Sequence, residues 1–156
     1  MTIGFQMMLQ HDFPALIAAC IGPWNTSFEA SKESGECVFA IPDARIAQKV
    51  VDVANCDGDE ADKCDAFRLD VVPAEKVKAP LVGGDGVIAN VECVVKDRSM
   101  VGKYGTWVFE VVKAWVDPGW KGSGKMFHHR GDGMFGVDGE VLDLRDRMVR
   151  WKEFQF

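Results

Sequence analysis

The chain has 156 residues, 47% of them hydrophobic and 27% charged, a size and composition that predict one globular domain over residues 1–156. Its 18 Lys and Arg against 24 Asp and Glu give a net charge of −6, which argues against nucleic-acid binding because such proteins cluster basic residues against phosphates. No apolar run approaches the roughly 18–20 residues of a membrane-spanning helix, so we expect no membrane contact.

Apolar runs bounded by turn residues predict the first elements. Residues 1–8 (MTIGFQMM) are apolar from the first position and predict a strand. Residues 15–21 lie between Pro and Gly and predict a second strand. Thr26 followed three residues later by Glu29 forms a capping box, which predicts a helix that is capped by Thr26 and ends at Gly35.

The middle of the chain continues with a short strand and a helix. Residues 37–41 (CVFAI) predict a buried strand. Asp43 is suited to cap a second helix. The apolar residues that recur at helical spacing after it are Ile46, Ala47, Val50, Val53 and Ala54.

From residue 87 onward the hydrophobic pattern has a period of two. Residues 87–95 and 107–116 predict two long strands joined by a polar turn over 97–105. Glycine-rich turns are predicted at 119–124 and 131–139, and a short apolar alternation follows at Val141, Leu142 and Leu144. Many strands with two or three short helices predict a β-barrel decorated by helices rather than an alternating βαβ fold.

The five cysteines, at positions 20, 37, 56, 64 and 93, are odd in number, scattered, and include no Cys-x-x-Cys pair. This usage favours buried thiols over disulfides or zinc ligands, and it predicts a cytoplasmic protein. His128 and His129 are adjacent, so their side chains diverge, and His11 is the only other histidine. We therefore expect no metal site. Two imidazoles beside Arg130 suit an anionic or aromatic ligand.

Two further segments match known motifs only in part. Residues 119–125 (GWKGSGK) fit the start of a phosphate-binding loop, but the required Ser or Thr is replaced by Met126. Residues 57–62 (DGDEAD) resemble a calcium loop in composition, yet the required Gly and Glu are out of place. We predict a flexible turn and a solvated acidic loop.

Four segments together resemble the flavin reductase-like family, which includes flavoredoxins and the flavin-reducing components of two-component monooxygenases. They are 24–28 (WNTSF), 55–58 (NCDG) with 62–63 (DK), 111–117 (VVKAWVD) and 128–131 (HHRG). The resemblance extends to about residue 148, nearly the whole domain. It implies the FMN-binding split barrel, an antiparallel Greek-key β-barrel with a few short helices, usually a homodimer. It also implies bound FMN, or FAD, reduced by NADH or NADPH.

The same resemblance assigns cofactor-binding residues. Asn25, Thr26 and Ser27 correspond to the family's flavin-phosphate segment, and a helix N-terminus offers free N–H groups and partial positive charge to an anion. The alternative is that Thr26 only caps the helix. Thr2 and Gly4 lie on the strand that matches the one beside the flavin ring.

Asn55 and the histidine segment complete the predicted site. Many relatives have Asn-Thr-Ser-Gly at 55–58, whereas this chain has Cys and Asp in the middle, and a carboxylate near a phosphate is unfavourable. His129 and Arg130 match the stretch near nicotinamide and flavin. The resemblance implies that they orient the nicotinamide or stabilise reduced flavin as catalytic residues, with His128 as a further cofactor contact.

Three functions stay open at this point. The first is an NAD(P)H:flavin oxidoreductase that serves a small-molecule acceptor, a monooxygenase or another redox protein. The second is a flavoredoxin-type electron carrier without its own nicotinamide activity. The third is a non-catalytic barrel that acts as a dimeric interaction module. Relatives carry roughly forty residues before the position of Met1, so we expect the first barrel strands to be missing and flavin binding to be weakened.

Overall fold

The computed structural model describes residues 1–59, 61–120, 124–142, 144 and 147. Antiparallel strands dominate, and the helices are short, as predicted. In chain order the elements are β1 (Gln6–Gln10), β2 (Leu16–Cys20), α1 (Thr26–Ser34), β3 (Glu36–Pro42), a 3₁₀ turn (Ala44–Ile46), α2 (Ala47–Ala54), α3 (Lys63–Ala66), β4 (Val71–Val72), β5 (Leu81–Val82), β6 (Val87–Asp97), α4 (Val101–Tyr104), β7 (Thr106–Val116), β8 (Phe127–Gly131) and β9 (Met134–Val137).

A five-stranded antiparallel sheet forms the centre, with the strand order β1-β2-β7-β6-β3. The chain from β2 to β3 passes over the two positions filled later by the β6–β7 hairpin, which is the Greek-key type of connection. The remaining strands form two separate hairpin-like pairs, β4–β5 and β8–β9. Among the described residues, no helix is long and apolar enough to cross a membrane.

The core lies on the strands β2, β6 and β7. Trp107, Phe109 and Cys93 are at most 1% exposed and pack with Ile17, Ala19 and Ile21. The Phe28 ring of α1 meets the Trp107 ring edge-on at a centroid distance of 5.3 Å. Aromatic pairs in this geometry add to the free energy gained from apolar burial. The beginning of α1 is thereby fixed to the sheet.

Most predicted elements of the first half are confirmed, with two corrections. The strand at 15–21, the strand at 37–41 and the helix stop at Gly35, where φ is +67°, are present. The helix cap is wrong by one residue, because Asn25 has the extended N-cap backbone and the Thr26 hydroxyl turns to a distant loop instead. The first strand begins at Gln6, since pairing with β2 sets its register and apolar composition alone does not.

In the second half, the two long strands and their hairpin are confirmed, and the predicted turn contains α4. The turn predicted at 131–139 is wrong in extent, because Met134–Val137 pairs with β8 as a strand. The turn itself is at Asp132 and Gly133, which have positive φ. Val141, Leu142 and Leu144 are exposed and belong to no strand. Part of the predicted turn at 119–124, residues 121–123, lies outside the described residues.

All five thiols are free, but they differ in exposure. Cys93 is buried, Cys37, Cys56 and Cys64 are half-buried, and Cys20 is exposed, so the prediction of burial is wrong for Cys20. Cys37 and Cys93 face each other across β3 and β6. A hydrogen bond between these two side chains, together with burial, raises the pKa of the Cys37 thiol.

Candidate functional site

The first turn of α1 follows a tight connection from β2. The backbone N–H of Ile21 donates to the Gly105 carbonyl at 2.9 Å, and that of Asn25 donates to the Gly22 carbonyl at 3.1 Å. A Cβ at Gly22 would overlap the Trp24 indole, so a larger residue there would displace that exposed ring. The Asn25 amide group donates to Gly22 at 3.4 Å and caps no helix N–H. The N-terminus of α1 therefore keeps the character of an anion site.

The loop after α2 lies directly against this turn. Asn55 ends α2, and its side chain is exposed. A Cβ on Gly58 would come within 3.2 Å of the Thr26 hydroxyl oxygen. The Thr26 hydroxyl donates to Asp59 Oδ1 at 2.5 Å. The structure thus brings the loop that begins at Asn55 together with the turn that carries Asn25, Thr26 and Ser27.

The N-terminal segment connects α3 with the end of β2. The Met1 amino group has its pKa lowered by burial and by the nearby charge of Lys63. The Phe5 carbonyl accepts from the Cys20 N–H at 3.0 Å. Between these two points Thr2 is half-buried, and no atom lies within 4 Å of the position of a Cβ on Gly4. Gly4 consequently leaves its backbone open to a neighbouring group.

His128, His129 and Arg130 lie exposed on the β8–β9 hairpin. The His128 Nε2 atom is 3.4 Å from Asp138 Oδ1. The His129 ring is 5.0 Å from that of its cross-strand partner Phe135. The Arg130 side chain covers Gly136, where a Cβ would come within 3.0 Å of Nε. These three side chains are held by the hairpin itself.

The segment leading into the hairpin is attached beyond the end of β3. The Ala44 N–H donates to the Lys125 carbonyl at 2.7 Å, and the Lys125 N–H donates to Asp43 Oδ2 at 3.3 Å. Hydrogen bonds from the Arg45 N–H and guanidinium outweigh the effect of burial and lower the pKa of Asp43. By contrast α1 ends at Gly35, just before β3 begins. The two parts of the predicted site are therefore joined to opposite ends of β3.

In the described part of the chain, the α1 turn and the hairpin are separate. Over residues 1–59, 61–120 and 124–142, no hydrogen bond, ion pair or ring contact links the hairpin to the first turn of α1. In the same described part of the chain, no group of three or more His, Cys, Asp or Glu is placed to hold a metal ion. The structure joins Asn25, Thr26 and Ser27 to the Asn55 loop and leaves His128, His129 and Arg130 apart.

The sequence did not indicate Asp59 as a site residue. It lies in the acidic stretch 57–62, which was predicted to be a solvated loop, and 33 positions separate it from its partner Thr26. The glycine before it was the available signal, since a residue without Cβ permits close approach of two backbones. Asp62 also has a local role, because its carboxylate caps α3 through the Cys64 N–H at 2.8 Å.

A helix N-terminus with two hydroxyl residues fits the terminal phosphate of a flavin nucleotide. The backbone at Gly4 has open space beside it for a neighbouring group. One feature works against the phosphate, namely the Asp59 carboxylate on the Thr26 hydroxyl. The α1 turn thus offers groups that suit a phosphate together with a carboxylate that would oppose one.

Comparisons with known protein families and solved structures all find flavin reductase-like or flavin-binding proteins. The model of the flavin reductase-like domain family matches residues 1–135. The structure is similar to an FMN-binding domain of a flavin reductases-like enzyme from Shewanella baltica OS155, with a TM-score of 0.80, 19% identity, and coverage of 90% of this chain and 79% of that one. Flavoredoxin of Desulfovibrio vulgaris (Miyazaki F) matches with a TM-score of 0.80, 19% identity, and 92% and 80% coverage. The NADH:FAD oxidoreductase of Streptomyces globisporus C-1027 matches with a TM-score of 0.71, 20% identity, and 91% and 78% coverage.

Proposed function

The chain belongs to the flavin reductase-like domain family, and from this premise we propose that it is an oxidoreductase that binds FMN, or FAD, and passes electrons from NADH or NADPH to a small-molecule or protein acceptor. The observation that carries the proposal is the first turn of α1, an anion site with two hydroxyl residues that the core holds in place. The acceptor is a diffusing molecule or a partner such as a monooxygenase.

Each predicted residue has a part in this function. Asn25, Thr26 and Ser27 would hold the phosphate, Thr2 and Gly4 would border the ring, and Asn55 would contact the cofactor from the loop after α2. When bound, the flavin supplies the hydride-accepting chemistry. His129 and Arg130 would orient the nicotinamide and offset negative charge on the reduced ring, with His128 as a further contact. None of these side chains has to move a proton for hydride transfer to occur.

A homodimer is part of the proposal. Strand β1 is a sheet edge whose five residues are all exposed, and Met7, Met8 and Leu9 are 59%, 57% and 46% exposed. Exposed apolar edges are commonly covered by another chain. A dimer would also allow the hairpin of one protomer to approach the α1 turn of the other, which the single chain does not bring together.

The separation of hairpin and α1 favours one alternative function. A flavoredoxin-type carrier needs the flavin site but not the nicotinamide-binding residues. A carrier would be reduced by dithionite or by a protein partner and would not react with NADH or NADPH. The two functions are therefore distinguished by the response to nicotinamide alone.

The visible absorbance spectrum tests the proposal directly. We expect the purified protein to retain flavin bands after addition of FMN and desalting, and to lose them when NADH or NADPH is added without oxygen. Bleaching by dithionite only would identify the carrier. A protein that stays colourless would contradict both flavin functions and leave the non-catalytic interaction module.

The double substitution of Thr26 and Ser27 by Ala tests the phosphate assignment. Loss of charge-assisted hydrogen bonds should weaken flavin affinity by about 1–3 kcal/mol. The measurement is titration of flavin fluorescence, accompanied by a thermal melt. An unchanged affinity with a lowered melting temperature would mean that these residues serve only the helix.

A further inference from the structure

We infer that Asp59 determines which flavins the site accepts, by opposing the terminal phosphate at the α1 turn and so shifting preference from FMN toward riboflavin. The inference rests on the proposed flavin-binding function. It concerns a residue to which the family resemblance assigns no role, and it follows from the contact between Asp59 and Thr26.

The first argument is the number of donors. A threonine hydroxyl has one O–H to donate. In this structure Thr26 donates it to Asp59 Oδ1 at 2.5 Å. While the carboxylate accepts this hydrogen bond, the hydroxyl has no proton left for a phosphate oxygen. A phosphate at the α1 turn must therefore compete with Asp59 for one of its two hydroxyl donors.

The second argument is charge. A phosphate bound by Thr26 would lie close to the carboxylate, and like charges at such a distance repel. In the described part of the chain, neither Asp57 nor Asp59 forms an ion pair with a lysine or arginine side chain. The nearest cation on α1, Lys32, is paired with Glu29 at 3.3 Å. The repulsion is thus left without a neutralising partner.

The third argument is that the contact belongs to the packing of the loop. The backbone at Gly58 approaches so closely that a Cβ there would be 3.2 Å from the Thr26 hydroxyl oxygen and 3.3 Å from its Cβ. The close packing of Gly58 therefore places the next residue, Asp59, beside the α1 turn. Its negative charge is also favoured at a helix N-terminus. The protein supplies its own anion to the position that the phosphate of FMN would take.

Riboflavin and FMN are matched probes for this effect, since they share ring and ribityl chain and differ only in the phosphate. We would measure the dissociation constants of both by quenching of flavin fluorescence for the wild type and Asp59→Asn. The isosteric amide removes the charge and keeps the side-chain size. We expect Asp59→Asn to tighten FMN binding by about tenfold or more, as a regained charge-assisted hydrogen bond would. Riboflavin binding should stay within about twofold of the wild type.

Asp57→Asn is the matched comparison, because the family resemblance puts Asp57 in the loop near the phosphate, whereas in the described part of the chain the hydrogen bond to Thr26 is made by Asp59. It removes an identical charge two residues away. It should change FMN affinity by less than about threefold, as expected for a screened surface charge. Asp59→Ser serves as a second variant should the amide disturb the loop, and circular dichroism confirms that each variant is folded.

The outcomes separate the inference from the function on which it rests. Equal gains for FMN in the Asp57 and Asp59 variants, equal gains for FMN and riboflavin, or no gain at all would each overturn the inference and leave a flavin-binding protein. Absence of any flavin binding in every variant would overturn the proposed function, and the inference with it. A gain confined to FMN and to the Asp59 variants would establish the inference.

Discussion

The α1 turn and the β8–β9 hairpin are assigned to one site by sequence similarity, yet the protein holds them by different means. The α1 turn is seated on the core, because Phe28 packs on Trp107, which is 1% exposed. The hairpin has exposed side chains, its own ring contact between Phe127 and Phe135 at 5.8 Å, and an attachment at Lys125. Core packing therefore sets the geometry of the proposed phosphate site, whereas a few backbone hydrogen bonds set the position of the histidines.

The largest expected effect on stability is at Trp107, on which the α1 turn is packed. Trp107→Ala should lower the free energy of unfolding by about 3–5 kcal/mol, since it removes the indole that supports Phe28 and leaves a cavity. Phe135→Ala in the hairpin should cost about 1 kcal/mol or less, because that ring is 37% exposed. Urea denaturation of both variants measures the two values.

Trp107→Phe is the control for this pair. It keeps an aromatic ring against Phe28 and removes the indole N–H, which is the one buried side-chain N or O atom in the described part of the chain without a hydrogen-bond partner. Trp107→Phe should therefore lower the free energy of unfolding by less than Trp107→Ala does. Equal losses of unfolding free energy for Trp107→Ala and Phe135→Ala would contradict this difference between the α1 turn and the hairpin. The hairpin would then contribute to stability as much as the core does.

The next effect concerns a carboxylate that is buried in the central sheet, outside the hairpin. Glu92 is 0% exposed and accepts from Trp115 Nε1 at 2.6 Å and from the backbone N–H groups of Glu75, Lys76 and Val77. Burial alone would raise its pKa, but these hydrogen bonds outweigh burial and hold the pKa below the ordinary value. Glu92→Gln should cost about 1–3 kcal/mol at pH 7, since it weakens charge-assisted bonds.

The sign of the pH dependence follows from that direction. A carboxyl group whose pKa is lower in the folded state stabilises the fold above the unfolded pKa, about 4.3 for Glu, and this contribution is lost as the pH falls through the folded value. We expect the wild type to lose stability over that acidic range and Glu92→Gln to lose less. Parallel curves for the two proteins from pH 7 to about pH 3 would show that Glu92 does not carry the effect.

The same contrast explains what could be predicted from sequence. The strands β6 and β7 are long, alternate with period two, and pair as a local hairpin, so pattern and topology agree. Asp43 could be predicted as a cap because Asp is a preferred N-cap residue, and the N–H that it accepts from, that of Arg45, is only two residues away. The role of Asp59 could not be predicted, because its contact with Thr26 depends on how the loop docks on α1. Contacts between residues close in sequence could be predicted from the sequence, whereas contacts between distant segments became known only from the structure.

A smaller, local effect should appear at the attachment of the hairpin. Asp43→Asn removes the charge that accepts from Lys125 N–H and from Arg45. Hydrogen exchange should become faster at Lys125 and along β8, while the amides of α1 keep their protection. Faster exchange in both regions together would mean that they open as one unit and that the contrast drawn here is wrong.

The smallest effect on stability is expected for His129→Ala, below about 0.5 kcal/mol, because the side chain is exposed and only its ring contact with Phe135 is lost. The effect of His129→Ala on flavin reduction, by contrast, should be large. If the hairpin orients the nicotinamide, flavin reduction by NADH should slow by about tenfold, since misplaced reactants lose rate even when binding survives. Anaerobic stopped-flow reduction of the FMN complex measures this rate, and His11→Ala, which alters the histidine outside the predicted site, is the control. A rate unchanged by His129→Ala would leave the α1 turn as the flavin site and remove the hairpin from it.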